Sequence, residues 1–161
     1  MEFEPDEINL DGLEKFAKAV KALTPPYIKV GVLGDKANRT DGGANSPTNA
    51  EIGAAHEFGS PKKGLPVRSF LRMPLTDVLP KRIEDTDLFS DKQLEEVAKT
   101  GTLRPWLDVI SKLAKAVVID AFHEQGWGKW KKSDMTYKKN HMTLTETGQL
   151  RDSVDTKVVE P

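Results

Sequence analysis

The sequence contains no cysteine. Disulfides, thiolate nucleophiles and cysteine-based zinc sites are therefore excluded, and nothing points to an oxidising compartment. Synthesis in a cytoplasm is the simple expectation. Long apolar runs are also missing: no stretch approaches the roughly 18 apolar residues of a membrane-spanning helix. The opening residues, MEFEPDEINL, carry acids where a signal peptide carries bases and an apolar run. Charge of one sign is lacking too, since 24 basic and 25 acidic residues leave a net charge of −1. That counts against a protein that grips nucleic acid through a whole-molecule basic field. Aromatic residues make up 7% and hydrophobic residues 37% of 161 positions, which suits one domain with a modest core.

What is present is sorted along the chain. Residues 1–14 hold six acids and no base, giving −6, and residues 61–82 hold six bases against Asp77, giving +5. Residues 84–96 hold six acids against Lys92, giving −5, and residues 129–141 hold five lysines against Asp134, giving +4. Any one such block reads as a solvated face. Four blocks of alternating sign also suit a subunit that meets copies of itself or two different partners.

Local signals predict an α+β fold: a small antiparallel sheet packed against a long helix, with several short helices and long loops. Residues 1–9 read as a flexible acidic arm and residues 10–161 as a single domain. Asp11 and Glu14 have capping-box spacing, and Leu13, Phe16, Ala17, Val20 and Leu23 then share one helical face up to Pro25 and Pro26. Residues 27–33 (YIKVGVL) alternate as a strand, with Gly31 suggesting a bulge or a close neighbour. Residues 34–48 are a long polar loop, expected to order against a partner. Thr48 and Glu51 form a capping box for a helix over 49–58, with Gly59 at its stop. A further helical stretch is expected over 69–78 with Pro74 in its first turn or at a kink. Another short helix runs from Ser90 and Gln93 to Lys99, stopped by Gly101.

Residues 103–124 carry the strongest helical pattern. Leu103, Trp106, Leu107, Ile110, Leu113, Ala114, Val117, Ala121 and Phe122 form a broad stripe, and Asp108 and Lys112 an i,i+4 pair. Such a helix is about 33 Å long and reads as the spine of the fold. After a basic loop over 126–144, a short helix near 147–153 and a strand over 154–160 follow, the latter expected to pair with 27–33.

Residue chemistry points away from catalysis. His56-Glu57 starts like a zinc-peptidase helix, but Ser60 stands where the second histidine belongs. His123 and His141 lie far off in sequence. A Ser-His-Asp triad needs no sequence proximity and stays open, though no glycine-flanked nucleophile elbow is present. Gly31-Val32-Leu33-Gly34 and Asp41-Gly42-Gly43 fall short of phosphate-binding loops and read as turns. Trp127, Trp130 and Tyr137 interleave with Lys129, Lys131, Lys132, Lys138 and Lys139, a pattern suited to stacking bases beside phosphates. The favoured alternative docks the tryptophans on the core and leaves the lysines wet.

Two phrases carry a resemblance. Ile52-Gly53-Ala54-Ala55-His56-Glu57-Phe58-Gly59 is followed by Pro66-Val67-Arg68-Ser69-Phe70-Leu71-Arg72, and Trp130 to Lys139 by Leu144-Thr145-Glu146-Thr147-Gly148-Gln149-Leu150-Arg151-Asp152-Ser153. In this order, with a long helix between them, they resemble the tailed-bacteriophage family of head–tail joining, or tail completion, proteins, also described as virion morphogenesis or minor tail proteins. Residues 80–102 are longer and more acidic than that family's usual connector, and little follows the last strand.

The resemblance implies a structural virion protein, not an enzyme, with no cofactor. It implies a ring-forming α+β subunit in the neck, about six copies to a ring, between a head-completion (stopper) ring and a tail terminator, with packaged DNA in the channel. Assembly would take place in the host cytoplasm. A minor tail or tail-assembly protein elsewhere along the tube is the nearest alternative. A small hydrolase using His56 or His123, or a DNA-binding protein, is further off.

The resemblance also implies architectural or interface roles for His56, Glu57, Phe58, Gly59, Pro66, Arg68, Phe70, Leu71, Arg72, Trp130, Thr147, Gly148 and Leu150. Phe58 and Phe70 would anchor on the core. Arg68 and Arg72 would pair with carboxylates, locally or on a neighbour, and Arg68→Glu would leave the monomer folded. Thr147 would cap the last helix, Gly148 allow tight packing and Leu150 lock it down.

Overall fold

The computed structural model describes residues 25–40, 43, 45–131 and 142–160. The acidic arm, the helix expected after Asp11, part of the 34–48 loop and most of the lysine-rich loop, with Tyr137 and His141, lie outside the described residues.

Strand β1 (Tyr27–Val32) pairs antiparallel with β2 (Val154–Val159), from Tyr27 opposite Val159 to Val32 opposite Val154. The pairing passes through Gly31 opposite Asp155 without a break, so of the two readings of Gly31 the bulge is absent, and the nearest neighbour of a Cβ there would be Leu71 Cδ1 at 4.0 Å. Alternation works as the sequence suggests: Val30 and Val32 face the core from the same side.

Helix α1 (Asn49–Phe58) starts at a complete capping box. The Thr48 N–H donates to Glu51 Oε2 at 2.8 Å, and Thr48 Oγ1 accepts from the Glu51 N–H at 3.2 Å. Gly59 ends the helix at φ 73°, where a Cβ would lie 2.9 Å from Val67 Cγ2. Glycine there permits both the backbone turn and the close approach of the returning chain.

The expected helix over 69–78 begins later and runs further. Helical geometry starts at Arg72, widens to a π-turn over Pro74–Val78, and continues as α2 (Leu79–Glu84). The wide turn sits immediately before Pro80, which has no N–H to donate. After a turn at Asp87–Phe89 comes α3 (Asp91–Thr100), ended by Gly101 at φ 66°. Ser90 holds the N-cap position, but its side chain makes no cap bond.

The long helix α4 (Arg104–His123) lies against both strands, as its stripe predicted. Asp108 pairs with Arg104, at 3.0 Å, rather than with Lys112. Arg104 also reaches Glu160 at 3.0 Å, and these acceptors, Glu160 first, raise its pKa. Ser111 Oγ donates to Thr156 Oγ1 at 2.8 Å, and Lys115 pairs with Asp155 at 2.9 Å. Helix α5 (Gln149–Asp152) then leads directly into β2. The protein is thus mixed α+β, with a two-stranded antiparallel sheet on one long helix. The main cluster of buried residues is Phe70, Val118, Ala121, Phe122, Trp130, Leu150 and Val154. No helix among the described residues is long and apolar enough to cross a membrane.

Candidate functional site

The two sequence phrases meet in this cluster. Along α1, Asn49, Gly53 and Glu57 form the buried line, at i, i+4 and i+8. A Cβ on Gly53 would lie 3.2 Å from Phe70 and 3.3 Å from Leu150, so glycine lets one residue from each phrase approach the helix. Phe70 is fully buried, and its ring lies 5.3 Å from that of Phe122. Trp130 meets Phe122 edge-on at 5.7 Å and donates its indole N–H to the Ser69 carbonyl at 3.3 Å.

Glu57, only 5% exposed, is the polar centre. Its carboxylate accepts from Ser69 Oγ at 2.6 Å and from the backbone N–H groups of Phe70 (2.9 Å), Leu71 (2.9 Å) and Arg72 (3.1 Å). These donors stand at the start of the helical run that leads to α2, where free N–H groups attract an anion. One acid from α1 thus caps a second helical segment and fixes the loop between them. Arg72, 65% exposed at its side chain, stands 4.0 Å from the same carboxylate, the local pairing expected of it.

Arg68 is 2% exposed. Its Nε donates to the Lys131 carbonyl at 2.9 Å, and Nη1 lies 3.3 Å from His56 Nδ1. Arginine can only donate, so His56 Nδ1 accepts. Burial lowers the Arg68 pKa from its ordinary value. Among the described residues no carboxylate pairs with Arg68, which corrects that part of the expectation. Buried within its own chain, Arg68 offers no surface to a neighbour, and an Arg68→Glu monomer would lose both contacts and bury an acid beside a carbonyl.

Three other expected roles change. Phe58 does not anchor on the core: it is 68% exposed, because it follows the buried Glu57 by one residue and so sits about 100° round the helix. Thr147 is not the N-cap of α5; Gly148 is, at φ 71°, while Thr147 Oγ1 accepts from the Gln149 N–H at 3.4 Å. Gly148 serves that left-handed turn rather than tight packing, since its nearest contact would be the flexible Arg151 side chain at 3.3 Å. Leu150 is buried as expected, Leu71 packs half-buried against the cluster, and Pro66 is half-buried.

Some supporting residues carry no strong sequence signal. Gln125 binds the Phe122 and Thr143 carbonyls and accepts from the Thr143 N–H at 2.5 Å, closing the base of the lysine loop. Asn49 ties α1 to the Lys36 and Asn38 carbonyls, each at 3.0 Å. Gly126 lies under the Trp130 ring, which a Cβ there would overlap.

The chemistry available at this centre is modest. A shallow cavity of about 150 Å³ is lined by Arg39, Ile52, His56, Leu144, Glu146, Thr147 and Leu150. The Nδ1 atom of His56 is taken up by the Arg68 guanidinium at 3.3 Å. Among the described residues no three His, Asp or Glu side chains converge as metal ligands do. The carboxylate that a hydrolase reading would recruit, Glu57, is saturated by donors of its own chain.

Compared with protein-family models, curated proteins and solved structures, the chain matches none.

Proposed function

We propose that this chain is a structural subunit of a tailed-phage particle, of the head–tail joining or tail-completion kind. In this reading it forms a ring of about six copies, set between a head-completion ring and a tail terminator. The observation that carries the reading is the meeting of the two phrases. Gly53, Phe70 and Leu150 touch, and Glu57 closes the loop between α1 and the next helical run. Gly53, Glu57, Arg68, Phe70 and Leu150, all from the phrases that resemble the family's signature, thus hold a small core together. The polar atoms of Glu57 and Arg68 go to partners within the chain. Such a core suits a protein that works by shape and presents its loops to neighbours.

The test is genetic and structural. Disrupting the gene in the phage that encodes it should yield filled heads and separate tails, and adding the purified protein should join them. Joined, infectious particles without the chain would overturn the proposal. If tails instead came out short or malformed, the chain would belong to tail assembly.

A further inference from the structure

Among the described residues two apolar faces stand open, one flanked by lysines and one by an excess of acids. The first lies beside the end of α1. Phe58 is 68% and Val67 52% exposed, next to an apolar groove of about 250 Å³ that reaches Phe70 and Leu71. The exposed Lys62 and Lys63 stand on the turn between them. The second face lies on α3 and the turn before it. No residue of α3 is buried, although Leu94 and Val97 fall on one side of the helix. Leu94 is 47% and Phe89 56% exposed, and Phe89 leans edge-on against Trp106 at 5.4 Å. The exposed acids Asp87, Asp91, Glu95 and Glu96 outnumber Lys92 and Lys99 in this segment, and Glu95 pairs with Lys99 at 2.7 Å.

The faces lie toward opposite ends of α4. Trp106 marks the second and Phe122, through Phe70, the first. Sixteen residues of helix separate these marks by about 24 Å. One chain therefore cannot cover one of its faces with the other. We infer that the lysine-flanked face of one copy docks on the acid-flanked face of the next, so that copies join head to tail. The occupant of each face is a second copy of this chain. Opposite charge sets the pairing, and the exposed Phe58, Val67, Phe89 and Leu94 supply the apolar contact. An interface between two different faces propagates and closes into a ring, whereas a face that pairs with itself stops at a dimer. This inference rests on the ring reading above and names the surfaces that would build the ring.

The absence of cysteine gives a clean test. Val67→Cys and Leu94→Cys, singly and together, would be treated with a short bismaleimide at high protein concentration. The inference expects the double variant to give a ladder of covalent oligomers and each single variant to stay monomeric. High salt, or Lys62→Glu with Lys63→Glu, should cut the ladder at least tenfold, and adding Glu95→Lys with Glu96→Lys should restore it. Dimers from either single variant, or no ladder from the double variant, would overturn the pairing. So would failure of the added lysines to restore it. If native mass spectrometry shows rings of the parent chain while the ladder is missing, the pairing fails and the ring reading survives. If the chain is absent from particles, the ring reading itself falls.

Discussion

The two ends of α4 carry similar residues and treat them differently. Toward its C-terminus, Val118, Ala121 and Phe122 are fully buried, and the cluster around them takes in an acid and an arginine with their partners. Toward its N-terminus, Leu103 is 43% and Val109 39% exposed, and the neighbouring α3 buries nothing. Apolar residues on a helix show where burial is wanted but not what provides it. One end finds its cover within the chain. The other leaves apolar side chains exposed among the described residues.

The largest effects should fall at the covered end. Phe70→Ala should cost about 3–5 kcal/mol of unfolding free energy in urea, whereas Phe89→Ala should cost less than about 1 kcal/mol. Equal losses would erase the contrast. Next comes Glu57→Ala, which leaves three backbone N–H groups without their acceptor. It should cost about 3 kcal/mol, and Glu57→Gln should recover part of that, because the amide retains one acceptor oxygen.

Two left-handed glycines sharpen the comparison further. Gly126→Ala should cost about 2 kcal/mol or more in thermal unfolding, since strain adds to overlap with the buried Trp130 ring. At Gly101, with nothing within 4 Å of a Cβ, the same change should cost only about 1 kcal/mol of backbone strain.

The smallest effect is electrostatic and lies between the two ends. Lys115 first, then Lys36, hydrogen-bond Asp155 and hold its carboxyl well below the ordinary carboxylate range. A pKa depressed on folding adds stability above the unfolded value of about 3.9 and loses it as pH falls below that. Parent and Asp155→Asn should therefore differ in Tm at neutral pH and converge as pH drops below about 4. Solvent screening at a side chain 37% exposed keeps the difference small. A gap that widens in acid would contradict the pairing.

Much of the fold was legible because its signals are local. The Thr48–Glu51 box and the stripe on α4 each follow from spacing within a few turns, and each strand shows as a short apolar run, although their pairing joins the two far ends of the described chain. What spacing could not reveal was which face of a short helix turns inward. In α1 a glycine and a glutamate line the buried side while Phe58 points out, because the facing Phe70 and the donors at 69–72 decide it. Arg68 was expected to meet a carboxylate, and spacing gave no sign that it would be buried against the Lys131 carbonyl and the His56 ring. The wide turn over Pro74–Val78, in a segment that lies against α4, had no signal in the spacing beyond its prolines.

The most direct test of the division of labour is one comparison in phage particles, with Phe89→Ser set beside the parent. The account predicts that the variant melts within a few degrees of the parent in isolation, yet fails to enter particles and leaves heads and tails unjoined. Incorporation at the parental level, with normal joining, would contradict it.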